Sequence, residues 1–129
     1  MLDTNIISDL IRNPSGKAAK RAADVGNDNI CTSIIVAAEL RYGSVKIGSK
    51  RLLQLIEGVL GEIKVLSFET PADIAYGAIR SELESAGKPI GANDLLIAAH
   101  ARAISATIVT ANVGEFKRIS NLKVENWLI

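Results

Sequence analysis

Met1-Leu2-Asp3-Thr4-Asn5-Ile6-Ile7-Ser8-Asp9-Leu10-Ile11 passes from a strand pattern to a helix pattern within a few residues. Met1, Leu2 and Asp3 form the stub of a strand. Asp3 or Thr4 supplies the N-cap of a helix whose Ile6, Ile7, Leu10 and Ile11 recur at helical spacing. Asn13-Pro14-Ser15-Gly16 stops it. The same alternation then repeats down the chain. A helix is predicted over 17–25, ending at Gly26 and Asn27, followed by a short strand over 29–32. Ser33 caps a helix over 34–45, Gly48 and Ser49 separate it from a helix over 50–60, and 62–68 alternates as a strand. Thr70-Pro71 opens the next helix, with a hydroxyl cap and a proline in the first turn, and Gly87 ends it after Ala86. Asn93 or Asp94 caps a helix over 95–104, and 106–110 is a buried strand by its Thr-Ile-Val content. One helical turn over 114–117 and an edge strand over 123–127 complete the chain. Strands alternating with helices, without repeats or linkers, predict a single α/β domain over 1–129 with a mainly parallel sheet.

Composition agrees. Of 129 residues, 48% are hydrophobic, 22% charged and only 4% aromatic, which is a folded chain with an aliphatic core. A chain of this length buries roughly 65–70% of its unfolded surface and needs no disulfide or structural zinc. One Cys (Cys31) and one His (His100) could build neither. A chain without a disulfide framework suits a reducing cytoplasm. No uncharged apolar run reaches the roughly 18 residues of a membrane span, and no export leader pattern opens the chain. The net charge of +1 identifies no partner by itself. Its distribution is uneven. Arg12, Lys17, Lys20 and Arg21 form one basic stretch and Arg41, Lys46, Lys50 and Arg51 another, neither containing an acid. Between Glu57 and Glu84 acids predominate. A basic side and an acidic side are therefore predicted.

In open α/β sheets, ligands bind beyond the carboxyl ends of the strands. Residues that just follow strands are the candidates for chemistry. Asp3 follows the first strand, and Asn112 follows the 106–110 strand with Glu115 one short turn further on. Glu39 lies in Ile34-Ile35-Val36-Ala37-Ala38-Glu39-Leu40 on the helix leaving the second strand. Asp94 lies in Ile90-Gly91-Ala92-Asn93-Asp94-Leu95-Leu96-Ile97 at a helix start. Each carboxylate interrupts an apolar context, where an unpartnered charge is costly. Taken singly, Asp3 and Asp94 read as helix caps and Glu39 as a solvated helix residue. Taken together, Asp3, Glu39 and Asp94 are expected to converge at one edge of a parallel sheet. Clustered carboxylates repel unless a divalent cation joins them, and oxygen ligands without His or Cys select Mg²⁺ or Mn²⁺ over zinc. Such an ion polarises a phosphate and activates a water for in-line attack.

Four stretches also carry a family resemblance: Leu2-Asp3-Thr4-Asn5-Ile6, Ala38-Glu39-Leu40-Arg41-Tyr42-Gly43, Ile90-Gly91-Ala92-Asn93-Asp94-Leu95-Leu96-Ile97-Ala98-Ala99-His100-Ala101 and Val109-Thr110-Ala111-Asn112-Val113-Gly114-Glu115-Phe116. In order and spacing, over essentially the whole chain, they resemble the PIN-domain toxins. More narrowly, the chain is similar to the VapC ribonucleases of VapBC-type toxin–antitoxin modules, including the initiator-tRNA endonuclease branch. The resemblance implies a PIN-like three-layer α/β/α sandwich and a Mg²⁺- or Mn²⁺-dependent endoribonuclease, with tRNA among its candidate substrates. It implies a homodimer held inactive by a small VapB-like antitoxin, in a heterotetramer or larger assembly. Asp3, Glu39 and Asp94 fall on the family's acidic triad. Where relatives often carry a fourth acid, this chain has Asn112, whose carbonyl oxygen is a neutral ligand, and Glu115 stands near to add charge. Relatives also usually carry a few more residues ahead of the first aspartate. On this reading Arg12, Arg41, Lys46 and Lys50 hold RNA phosphates.

Other residues have plainer readings. Thr4 and Thr110 read first as a cap and as strand packing, and second as groups that position water or phosphate. Asn93 reads as a cap or as a partner of Asp94. His100 lies about 240° around the helix from Asp94 and reads as structural. Cys31 reads as a small core residue and Trp127 as packing at the sheet edge. The Gly43–Lys50 stretch lacks the spacing of a phosphate loop. Two rival functions remain. Leu2-Asp3-Thr4-Asn5 resembles the nucleophile loop of an aspartyl-phosphate phosphatase, although Asn5 stands where those enzymes carry a second aspartate. A non-catalytic PIN scaffold that binds RNA or protein is favoured by Asn112 and opposed by the three retained acids.

Overall fold

Leu2 organises the sheet. In the computed structural model, which describes residues 1–129, it bridges in parallel to Thr32 on one side and to Val109 on the other. β1 (Cys31–Ser33) pairs in parallel with β2 (Lys64–Leu66), and β3 (Ile108–Val109) with β4 (Val124–Glu125). The order across the sheet is therefore β2, β1, Leu2, β3, β4, and the N-terminal stub is its centre. Leu2 N donates to Cys31 O at 2.8 Å, while Asp3 N donates to Val109 O and Val109 N to Met1 O, both at 2.9 Å. A strand flanked on both sides is buried on both faces, which is why the stub is apolar up to Asp3.

The helices are α1 (Thr4–Arg12), α2 (Lys17–Val25), α3 (Ile34–Ile47), α4 (Lys50–Glu62), α5 (Ala72–Ser85), α6 (Ala92–Ala103) and the single turn α7 (Val113–Phe116). Right-handed crossovers put α1 to α4 on one face as the chain steps outward from Leu2 to β1 and β2. The return from β2 to β3 puts α5, α6 and α7 on the other. Accordingly α1 packs on α2, α3 and α4, and α5 on α6. This is the expected three-layer α/β/α arrangement with a parallel sheet. Its core is aliphatic: Leu2, Ile6, Ile7, Ile56, Ile79, Ile97 and Ile108 are buried, with Phe116 the one fully buried aromatic ring.

Local expectations fail at several boundaries. α3 runs to Ile47 because Gly48 takes a left-handed φ of 74° and its N–H closes the last turn onto Ser44 O and Val45 O. α6 starts at Ala92, three residues early, with extended Gly91 as its cap residue and no side-chain cap bond. Neither Asn93 nor Asp94 is the cap. Likewise Pro71 itself caps α5, without the expected hydroxyl bond from Thr70. The strands are shorter than their apolar patterns, because pairing stops where a neighbouring strand stops. The basic and acidic stretches meet where Arg41 Nε and Nη2 grip Glu57 at 2.9 and 2.7 Å across α3 and α4. No helix is long and apolar enough to cross a membrane.

The chain steps from Leu2 toward β1 in one direction and, after crossing to β3, toward β4 in the other, so the topological switch lies between Leu2 and β3. Beyond the carboxyl ends of those two strands stand Asp3 and Thr110.

Candidate active site

Thr110 Oγ1 donates to Asp3 Oδ2 at 2.7 Å. Thr4 N donates to Asp3 Oδ1 at 2.8 Å, and Asn5 Nδ2 to Oδ2 at 3.4 Å. Asp3 is the N-cap residue of α1 and is 3% exposed, so cap and site share one side chain. From Asp3 a string of hydrogen bonds runs both ways. Thr4 Oγ1 donates to Glu39 Oε1 at 2.9 Å. On the other side Asn112 N donates to Thr110 Oγ1 at 2.9 Å, and Asn112 Nδ2 to Asp94 Oδ2 at 3.1 Å. Glu39 on α3, Asp3 at the sheet edge and Asp94 on α6 are thus joined through Thr4, Thr110 and Asn112. The two threonines do more than cap and pack. Asn93 is exposed and takes no part in the string.

Sequence reasoning missed Asn5. Its Oδ1 accepts from Ala111 N at 3.0 Å and ties the first turn of α1 to the loop after β3. The signal was present: an Asn two residues beyond a strand-ending Asp, on the turn that must face the neighbouring strand's loop.

No base is in contact with these acids, and Arg118 acts on Glu115 only from a distance. The ion pairs of the molecule are Arg21–Glu125, Arg41–Glu57, Arg80–Glu84 and Arg102–Glu82, so no Lys, Arg or His stands within 4.0 Å of Asp3, Glu39, Asp94 or Glu115. Burial raises the Asp3 carboxyl, the hydrogen bonds from Thr110 and Thr4 oppose that, and the charge of Glu39 adds to it. Asp94 is pushed up to about 7, by burial first, then by the adjoining Glu115 carboxyl and the charge of Asp3. Glu115 is lowered, chiefly by its hydrogen bond with Asp94. The pair therefore shares one proton, held by Asp94. Glu115 Oε2 is sealed from solvent and has no hydrogen-bond partner.

No three of these side chains are drawn tightly enough to form a finished metal cage. The donor chemistry nevertheless fits a hard divalent cation. It is oxygen-only, it lacks a basic partner, and it holds one carboxyl protonated near neutrality and one buried oxygen without a fixed donor.

A pH dependence follows. Asp94 and Asp3 bind protons more tightly in the metal-free fold than in the unfolded chain, where a carboxyl titrates near 3.8. Their contribution to stability is fully present below about pH 4 and is lost as the pH rises, that of Asp94 through about 7. Melting of the metal-free protein should therefore fall across that window, and Asp94→Asn should fall less. Parallel melting curves for parent and variant would place Asp94 at an ordinary carboxylate value.

Among the proposed RNA contacts, Arg41 is already held by Glu57. The pair uses Nε and Nη2 and is half-exposed, so Arg41 is a less available cation for phosphate than an unpaired side chain. Arg12, Lys46 and Lys50 are exposed and make no ion pair. Arg12 shares a groove of about 330 Å³ with Thr4, Ser8, Glu39, Gly43 and Ile47. Lys46 Nζ stands 6.0 Å over the Tyr42 ring. His100 is structural as expected, 2% exposed, with Nδ1 at 2.8 Å from Ser33 Oγ. Trp127 is buried at the sheet edge, where its Nε1 donates to Glu125, and Cys31 is half-buried in β1.

Residues 1–122 match the PIN domain family. Over 129 residues the chain is 43% identical to Ribonuclease VapC2 of Rickettsia felis, covering 98% of this chain and 96% of that one. Over 128 residues it is 37% identical to the tRNA(fMet)-specific endonuclease VapC of Salmonella typhimurium, with 98% and 96% covered. Its fold superposes with a TM-score of 0.90 on the crystal structure of VapBC2 from Rickettsia felis bound to a DNA fragment from their promoter, at 40% identity over 98% of this chain and 97% of that one.

Proposed function

The chain belongs to the PIN-domain family, among the VapC ribonucleases, and from that premise we propose that it is the toxin of a toxin–antitoxin module, an endoribonuclease dependent on Mg²⁺ or Mn²⁺. The observation that carries the metal dependence is the string of acids without a single basic partner. Asp3 and Asp94 would be the principal ligands. Glu39 would complete the set directly or through water, with the Asn112 carbonyl and Glu115 as further oxygen donors. When bound, the ion supplies positive charge for the scissile phosphate and acidifies a water. Thr4 holds Glu39 where it can orient the attacking water, and Thr110 and Asn112 hold Asp3 and Asp94 against their mutual repulsion. Water rather than the ribose 2′-OH attacks, so the products carry 5′-phosphate and 3′-hydroxyl ends. The phosphatase alternative loses its footing, because Asn5 is spent on Asp3 and on Ala111.

RNA is the substrate and initiator tRNA the first candidate, by similarity to the relative of that name. The partner is a VapB-like antitoxin, by similarity to the VapBC complex. Tyr42, Val45 and Ile47 on α3 are each at least 66% exposed. That apolar surface supports a homodimer and a heterotetramer or larger assembly with antitoxin, acting in the cytoplasm where its RNA is.

Incubating antitoxin-free protein with total RNA and Mg²⁺ or Mn²⁺, then mapping the ends, tests the reading. Discrete cuts with 5′-phosphates are expected. RNA bound but left intact would instead establish the non-catalytic scaffold. In binding assays, Lys46→Ala and Lys50→Ala should each lower the salt slope by about one. Arg41→Ala should lower the slope by less, because Glu57 competes with phosphate for that guanidinium. Unchanged slopes for both lysines would assign them to surface solvation.

A further inference from the structure

We propose that His100 is a positioning residue for the acid site: through Ser33 it locks the helix carrying Glu39 to the helix carrying Asp94. The inference rests on the functional reading above and extends it to a buried pair that touches none of the acids. Ser33 ends β1 and caps α3, its Oγ accepting from Ile35 N at 3.1 Å. Glu39 lies on the second turn of α3, whereas Asp94 and His100 lie on α6. Ser33 is 0% exposed and His100 2%. Their contact at 2.8 Å is the one side-chain hydrogen bond between α6 and the β1–α3 unit.

Proton accounting favours one direction, from the Ser33 hydroxyl to the ring. A hydroxyl has one proton and two lone pairs. Ile35 N–H fills one lone pair, and the Ser33 proton has no other acceptor than His100 Nδ1. In that arrangement the ring is neutral, with its own proton on Nε2. Phe68 meets the ring edge-on, with centroids 5.5 Å apart, and fixes its tilt. Burial holds the imidazole below its ordinary pKa, and Glu69 is the charged group that opposes this. A neutral acceptor at this point lets the α3 cap and α6 share one proton. Without it, Ser33 is left with a buried donor unsatisfied, at the hinge between the two halves of the site.

Three variants test this, with Mn²⁺ affinity read from titrated melting and with kcat and KM for RNA. His100→Phe keeps a ring and loses the acceptor. Ser33→Ala loses the hydroxyl. His100→Asn keeps an acceptor oxygen near the place of Nδ1. His100→Phe and Ser33→Ala should each lower kcat and Mn²⁺ affinity roughly 3- to 30-fold with KM unchanged, and together no further than the worse single change. His100→Asn should stay within about twofold of the parent. Equal losses in the Asn and Phe variants, or parental values in all three, would reduce His100 to core packing. If His100→Phe does not fold, the contrast between Ser33→Ala and His100→Asn decides by the same criteria. A parent that neither binds Mn²⁺ nor cleaves RNA sinks both readings, whereas a competent parent with indifferent variants sinks this one alone.

Discussion

Asp94→Asn is expected to abolish RNA cleavage while leaving the metal-free protein as stable as the parent, or more so. An asparagine there still offers Oδ1 to the Asn112 amide, so the bond that holds the residue is kept. What goes is a charge facing Asp3 and Glu115, and with it their repulsion. A lost cap cannot explain the result, because Gly91 occupies that position and α6 has no side-chain cap. A charged ligand supplies several kcal/mol of transition-state stabilisation, so the loss in kcat should be on the order of 10³-fold or more. Metal also stabilises the parent by linkage. At ten times the dissociation constant the effect is about 1.4 kcal/mol, a melting shift of roughly 3–7 °C for a domain of this size. The variant should lose most of that shift. Retained cleavage with the shift intact would remove Asp94 from the site, and most of the mechanism with it.

EDTA should remove activity altogether, and Mg²⁺ or Mn²⁺ should restore it. The argument is electrostatic. Asp3, Glu39, Asp94 and Glu115 present only negative charge to a phosphate that is itself an anion, and no Lys, Arg or His stands within 4.0 Å of them. Nor can the chain supply the histidine pair of a metal-free ribonuclease. It has one histidine, which is buried and bonded to Ser33. Activity that persists in EDTA and leaves 2′,3′-cyclic phosphate ends would show attack by the ribose hydroxyl and overturn the reading.

Much of this was legible without coordinates, because some of it is local. Helical spacing in Ile6, Ile7, Leu10 and Ile11 specifies α1 wherever that segment lies, and Gly26 and Gly48 end α2 and α3 through their own backbone freedom. Strand–helix alternation specified the α/β class, and the rule that ligands sit beyond strand ends singled out Asp3 and the stretch around Asn112. The start of α6 misled for the same reason. Asn93 and Asp94 have good local cap chemistry, yet the turn is set by Gly91, whose carbonyl accepts from Leu95 N at 2.9 Å.

Local spacing sets which residue types stand at element ends, since a strand or a helix is written in spacings of two to four residues. Which partners those residues meet depends on long-range packing. Thr110 reaches Asp3 across 107 positions and His100 reaches Ser33 across 67, because the sheet order places β3 beside Leu2 and packing lays α6 over β1. The same packing made Arg41 a less available cation by setting Glu57 opposite it, and set Glu115 against Asp94 so that one proton serves two carboxyls. Charge, hydroxyl and amide are properties of a residue. Whether a carboxylate is neutralised, hydrogen-bonded or left for a cation depends on neighbours that no local spacing encodes.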